Sequence, residues 1–169
     1  MTDTVDDSMR YDFRPALLRE AFSCFPSGVT AVCTMGEGRP VGLAASSFVT
    51  TSLDPPLVSI CVDMTSTTWP KMRDAGRFGV SVLAAEQGET CRQLSAKGID
   101  RFAGLSYRTS PEGGAIVLND AAAWFECSLF DEYPAGDHVM VLLRIEDMGF
   151  RPETAPLVFH GSTFKVLRP

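Results

Sequence analysis

Short apolar, β-branched runs, each closed by a glycine or proline turn, follow one another along most of this chain, with no helices alternating between them. That order disfavours a doubly wound parallel sheet, which needs a crossover helix between successive strands. The runs are Val29 to Met35, Val41 to Leu53, Leu57 to Val62, Phe78 to Leu83, Ala122 to Tyr133, His138 to Phe150, and Leu157 to His160 with Phe164 to Leu167. Turns separate them at Gly36-Glu37-Gly38-Arg39-Pro40, Asp54-Pro55-Pro56 and Pro134-Ala135-Gly136-Asp137. Two adjacent prolines do not sit inside a central strand, so the second of these is a turn. The expected fold class is mainly β. It is an antiparallel barrel, closed or half-closed because closure removes exposed edges, with a few short flanking α-helices.

Three segments carry helical spacing. Phe13 to Phe25 sets Leu17, Leu18, Ala21, Phe22 and Phe25 against Arg14, Arg19 and Glu20, with Pro15 in its first turn. Ser66 to Ala75 and Glu86 to Ala96 are the others, and Lys97 to Gly114 reads as an irregular lobe. Residues 1–12 are acidic and read as a disordered lead, leaving 13–169 as one domain, long enough for a core. The net charge is −6 with no basic stripe, which argues against nucleic acid as a partner. No stretch is long and apolar enough for a membrane span. The five cysteines (Cys24, Cys33, Cys61, Cys91 and Cys127) are odd in number and scattered. They read as buried reduced thiols of a cytoplasmic protein. With only His138 and His160 as histidines, no metal site is expected.

No dinucleotide-binding glycine signature is present: after Gly36-Glu37-Gly38 the third glycine has the wrong spacing and no helix follows, so the segment reads as a hairpin. Other features carry chemistry. Ala44-Ala45-Ser46-Ser47-Phe48 is a strand of small side chains. A flat ring can approach its backbone closely, and its donors and acceptors suit the edge of an isoalloxazine; the alternative is tight packing under a helix. Asp63-Met64-Thr65-Ser66-Thr67-Thr68-Trp69 leaves a strand and enters a helix. Its hydroxyls suit a phosphate at the helix start, or simple N-capping. His138 lies in a turn, where it is either solvated or poised to orient a nicotinamide. Arg101-Phe102 lies in the lobe, where it covers a ring, pairs with a phosphate, or only anchors the loop.

Taken together and in order, four segments resemble the short-chain flavin reductases with an FMN-binding split barrel of Greek-key type. They are Phe25 to Val32, Gly42 to Phe48 with Ser52 to Val58, Ser66 to Trp69, and Gly136-Asp137-His138. The resemblance runs from about Phe13 to the end of the chain. It implies an NAD(P)H-dependent reductase of FMN or FAD that supplies reduced flavin to a partner monooxygenase, in aromatic or antibiotic metabolism. It implies a homodimer with flavin near the interface. Ser27 and Thr30 would lie by the flavin, Ala44, Ala45, Ser46 and Ser47 against its ring and chain, and Asp63, Ser66 and Thr68 around its phosphate. His138 matches the family's histidine near the nicotinamide, and Lys97 and Arg101 fall near the cofactor phosphates. Departures are Ser81, where the family commonly has Asn, and Phe159-His160, where paired aromatics are frequent. Alternatives on the same barrel are a pyridoxamine-phosphate oxidase-like flavoenzyme, a non-catalytic flavin or redox module, and a structural dimer.

Overall fold

A computed structural model describes residues 13–167; the expected lead, residues 1–12, lies outside them. Helix α1 (Pro15–Ser23) opens on a proline, whose missing N–H costs nothing in a first turn. It is followed by β1 (Ser27–Gly28), β2 (Thr30–Gly36) and β3 (Arg39–Ala45). Glu37 and Gly38, between β2 and β3, both have positive φ (50° and 77°), the geometry a two-residue hairpin requires.

The single expected run from Val41 to Leu53 is two strands. After β3 the chain leaves the sheet at Ser46 and re-enters as β4 (Val49–Leu53), which pairs with β5 (Pro56–Asp63). The reason lies in the sheet order. β3 and β4 are the two outer strands of one seven-stranded antiparallel sheet, so Ser46 to Phe48 cross from one edge to the other. Ser47 stitches this crossing. Its Oγ donates to the Cys61 carbonyl at 3.1 Å and accepts the Cys61 N–H at 2.9 Å, which occupies an edge of β5 that β4 does not reach. The barrel is therefore half-closed, with its split beside Ser46.

Helix α2 (Trp69–Met72), continued by a 3-10 turn over Arg73–Ala75, is shorter than the expected Ser66-to-Ala75 helix. Ser66 ends the preceding turn, its Oγ accepting the Thr68 and Trp69 N–H groups at 3.3 and 3.2 Å. Trp69 anchors α2 by stacking on Phe78 at 5.5 Å and donating its indole N–H to Glu132 at 2.7 Å. Next come β6 (Phe78–Val82) and α3 (Gly88–Ser95). The lobe expected to be irregular carries one arm of a hairpin: β7 (Tyr107–Thr109) pairs with β8 (Ile116–Leu118), and periodicity missed both because each is three residues long. The long strands β9 (Ala123–Ala135) and β10 (His138–Phe150) follow, then β11 (Val158–His160) and β12 (Thr163–Lys165).

β2 is buried on both faces because it separates two cores. Val32 points into the barrel with Ile60, Phe78, Val80, Val141 and Leu143. Ala31 and Cys33 point outward under α3 and the lobe, with Leu94, Phe102, Ile116 and Leu118. Ser81, the family departure, is fully buried, and its Oγ accepts the Leu118 N–H at 3.0 Å, tying β8 down.

The thiols only partly match expectation. Cys33 and Cys127 are buried, and burial pushes both up to about 12. Cys61 and Cys91 are half-buried, and Cys24, just past the end of α1, is exposed. We expect Cys24 to be alkylated first at pH 8, and Cys33 and Cys127 only after unfolding, as peptide mass mapping over time would show. Early labelling of Cys33 would contradict the two-core arrangement.

Candidate functional site

The barrel mouth forms where several element ends converge. The end of β3 supplies Ala44 and Ala45, the crossing supplies Ser46 and Ser47, the end of β5 supplies Asp63, and β10 begins at His138. Together with the turn before α2, the end of α3 and Arg101, they enclose a cleft of about 390 Å³. Nine of the twelve residues singled out from the sequence line it: Ala44 to Ser47, Asp63, Ser66, Thr68, Arg101 and His138. Lys97 lies next door, in a cleft of about 810 Å³ that shares Thr68 and Arg101. The structure does not bring Ser27 or Thr30 into the smaller cleft. Ser27 pairs with Phe159 in a small separate sheet, and Thr30 is buried one strand behind, its Oγ1 donating to the Ala45 carbonyl at 3.0 Å.

Short side chains, Ala44 to Ser47, line one wall of this cleft. A third hollow, of about 250 Å³, shares Ala44, Ala45, Ser46 and Ser95 and is walled by Phe159 and Phe164. A planar ring thus has a polar cleft on one side of Ser46 and an aromatic hollow on the other.

The polar end is arranged to donate. The Ser66 Oγ already accepts two backbone N–H groups, so its proton is free to point outward. The Thr68 Oγ1 accepts an Arg101 N–H at 3.0 Å, which likewise frees its proton. Arg101 is held in place by donating to the Ala96 carbonyl at 2.6 Å and the Gly42 carbonyl at 3.0 Å. It forms no ion pair among the described residues, so its charge is available to an anion. Phe102 beside it is buried edge-on to Tyr107 at 5.8 Å, and this ring is the anchor that aims Arg101. A helix-dipole contribution drops out, because α2 has only four residues.

Asp63 spends its carboxylate locally. Its Oδ1 accepts the Thr65 hydroxyl at 2.6 Å and the Thr65 N–H at 2.7 Å. Those two bonds, side chain first, hold its carboxyl below the usual range, with the charges of His138 and Lys97 adding to the effect. His138 sits opposite Asp63 in the β5–β10 register, and Asp137 holds its Nδ1 at 2.6 Å, leaving Nε2 for a ligand. Ser95, Leu43 and Cys61 also line the cleft and were missed by sequence reasoning. Nothing in their local pattern separates them from ordinary helix and strand residues.

A floor of small residues and a donor-rich end at the mouth of a split antiparallel barrel define a flavin-binding class of protein, and the residues present fit that group. The flavin reductase-like domain family matches residues 22–168. A flavin reductase of Pseudomonas putida is 36% identical over 161 residues, 95% of this chain and 94% of its own length. The reductase subunit HsaB of a flavin-dependent monooxygenase from Rhodococcus jostii is 36% identical over 155 residues, covering 92% of this chain and 79% of that protein. Among solved structures, an NADH:FAD oxidoreductase of Streptomyces globisporus, in complex with NAD and FAD fragments, superposes with a TM-score of 0.86 at 33% identity, covering 99% and 98% of the two chains. The chain belongs to the flavin reductase-like family and is an oxidoreductase.

Proposed function

We propose that this chain uses NADH or NADPH to reduce FMN or FAD in the cleft beside Ser46 and releases the reduced flavin to a partner monooxygenase. The observation that supports it most is the gathering of nine sequence-selected residues into one cleft. The flavin, when bound, supplies the two-electron chemistry. The protein's part is placement. Ala44 to Ser47 form the floor on which the ring rests. Ser66, Thr68 and Arg101 donate to the phosphate, Lys97 adds positive charge, and Asp63 shapes the turn that carries Ser66. His138, fixed through Nδ1, directs Nε2 toward the nicotinamide.

A steady-state assay of nicotinamide absorbance with each flavin in turn tests the activity; no flavin-dependent oxidation would sink it. His138→Ala is expected to slow nicotinamide-dependent reduction by roughly 10- to 100-fold, at or below the low end of the range for a lost acid–base or orienting group. Flavin affinity should stay within about twofold. Equal turnover in the two proteins would remove His138 from the account. Ser66→Ala combined with Thr68→Ala is expected to weaken flavin binding by roughly 10- to 100-fold, since hydrogen bonds to a charged group contribute about 1.5–3 kcal/mol before screening. An unchanged dissociation constant by fluorescence titration would overturn the phosphate assignment.

A second copy of the chain is the partner we propose for the apolar surface formed by α1 and the residues just after it, where Phe22 and Phe25 stand 70% and 76% exposed. Light scattering should then give twice the 18.3 kDa chain mass. Cytoplasmic action is part of the same reading, since both nicotinamide nucleotides are cytoplasmic reductants. No helix among the described residues is long and apolar enough to cross a membrane.

A further inference from the structure

We propose that Glu132, at the mouth of the barrel, is a positioning residue for the flavin phosphate, acting through Trp69 on the turn that carries Ser66 and Thr68. The inference rests on the flavin reading above and deepens it. It starts from a carboxylate where the alternation of β9 does not call for one. Leu129 packs into the barrel core, so strict alternation would turn Glu132, three residues on, to the outer face. The register against β10 shifts between the two. Leu129 pairs with Leu143, Asp131 with Leu142 and Glu132 with Val141, which leaves Phe130 without a partner. That bulge re-aims Glu132 to the face of Val141, a fully buried member of the core. Its side chain is 14% exposed.

A carboxylate so placed is costly unless it is paired. Glu132 is paired twice. Its Oε1 accepts the Trp69 indole N–H at 2.7 Å, and its Oε2 meets the Arg73 guanidinium at 2.6 Å. Trp69 opens α2 and Arg73 follows its last residue, so one carboxylate grips both ends of a helix too short to persist alone. The backbone N–H of the same Trp69 donates to Ser66 Oγ at 3.2 Å. Contact therefore runs from Glu132 through a single residue to the hydroxyl assigned to the phosphate, and Thr68 is the next residue along the chain. An apolar side chain at 132 would fill the barrel mouth without the desolvation cost. An acceptor there fixes the indole, and with it the turn.

Riboflavin lacks the phosphate that FMN carries, so the ratio of their dissociation constants reads the turn apart from the ring floor. Both are titrated against the native chain, Glu132→Leu, Glu132→Gln and Trp69→Phe. The native chain should bind FMN at least ~10-fold more tightly than riboflavin. Glu132→Leu should weaken FMN at least ~10-fold and riboflavin less than ~3-fold. Glu132→Gln keeps an acceptor for the indole and should hold FMN within ~3-fold of native. Trp69→Phe removes the indole N–H and keeps a ring against Phe78, so it should reproduce the selective loss of FMN even if Glu132→Leu does not fold. Adding Glu132→Leu to Trp69→Phe should then change FMN affinity less than ~2-fold. A general loosening of the fold moves both ligands alike. The proposal is overturned by parallel losses of FMN and riboflavin, by native FMN affinity in Glu132→Leu or Trp69→Phe, or by a glutamine variant no better than the leucine one. Should the native chain bind neither ligand, the flavin reading falls together with it.

Discussion

Replacing Ser46 by phenylalanine is expected to raise the flavin dissociation constant at least ~100-fold, about 2.7 kcal/mol, while leaving the thermal midpoint within about 2 °C. Ser46 is exposed, and it borders both the polar cleft and the aromatic hollow. A ring placed there fills the space assigned to the isoalloxazine without entering either core. Nicotinamide oxidation should fall in parallel, because no flavin is seated. Ser46→Ala serves as the control and should bind flavin nearly as the native chain does. If Ser46→Phe bound flavin with native affinity, the ring would have to lie elsewhere.

Gly79→Ala is expected to destabilise the fold by about 3 kcal/mol or more, the upper end for overpacking, lowering the thermal midpoint by about 10 °C. An added Cβ would stand 2.0 Å from the Ile116 carbonyl oxygen and 2.4 Å from its carbon, both backbone atoms. β8 crosses β6 at this point, held by the bond from Leu118 N–H to Ser81 and by the bond from Met35 N–H to the Gly114 carbonyl at 2.7 Å. Ile116 is fully buried and cannot move aside alone. Because the β7–β8 hairpin adjoins the lobe that aims Arg101, its displacement should weaken flavin binding as well. Gly28→Ala, where an added Cβ meets nothing within 4 Å, is the neutral control. A native-like Gly79→Ala protein would contradict the close crossing.

The sequence showed most of this architecture because its strands are amphipathic or wholly apolar and its turns carry glycine and proline. It hid what depends on long-range geometry. The break at Ser46 looks like continuous strand, since the reason for it is the far edge of β5, to which the Ser47 Oγ bonds. The start of α2 falls at Trp69 rather than Ser66, because a hydroxyl that caps a turn and one that caps a helix leave the same local pattern. β8 is too short to show a period, yet it forms part of the outer core. At the site, residue chemistry picked out the small floor, the hydroxyl turn, His138 and Arg101. The family resemblance added Thr30 and Ser27, which the pairing of β2 and β1 sets outside the smaller cleft. A polar side chain next to a motif does not reveal on which face of its strand it lies until the register is known.

The central claim concerns where a tricyclic ring settles, and a crystal of this chain soaked with FMN or FAD measures that directly. We expect ring density along Ala44 to Ser47, with phosphate oxygens within hydrogen-bond distance of Ser66, Thr68 and Arg101. Density for the ring at any other place on the chain, with the cleft beside Ser46 left empty, would contradict the account.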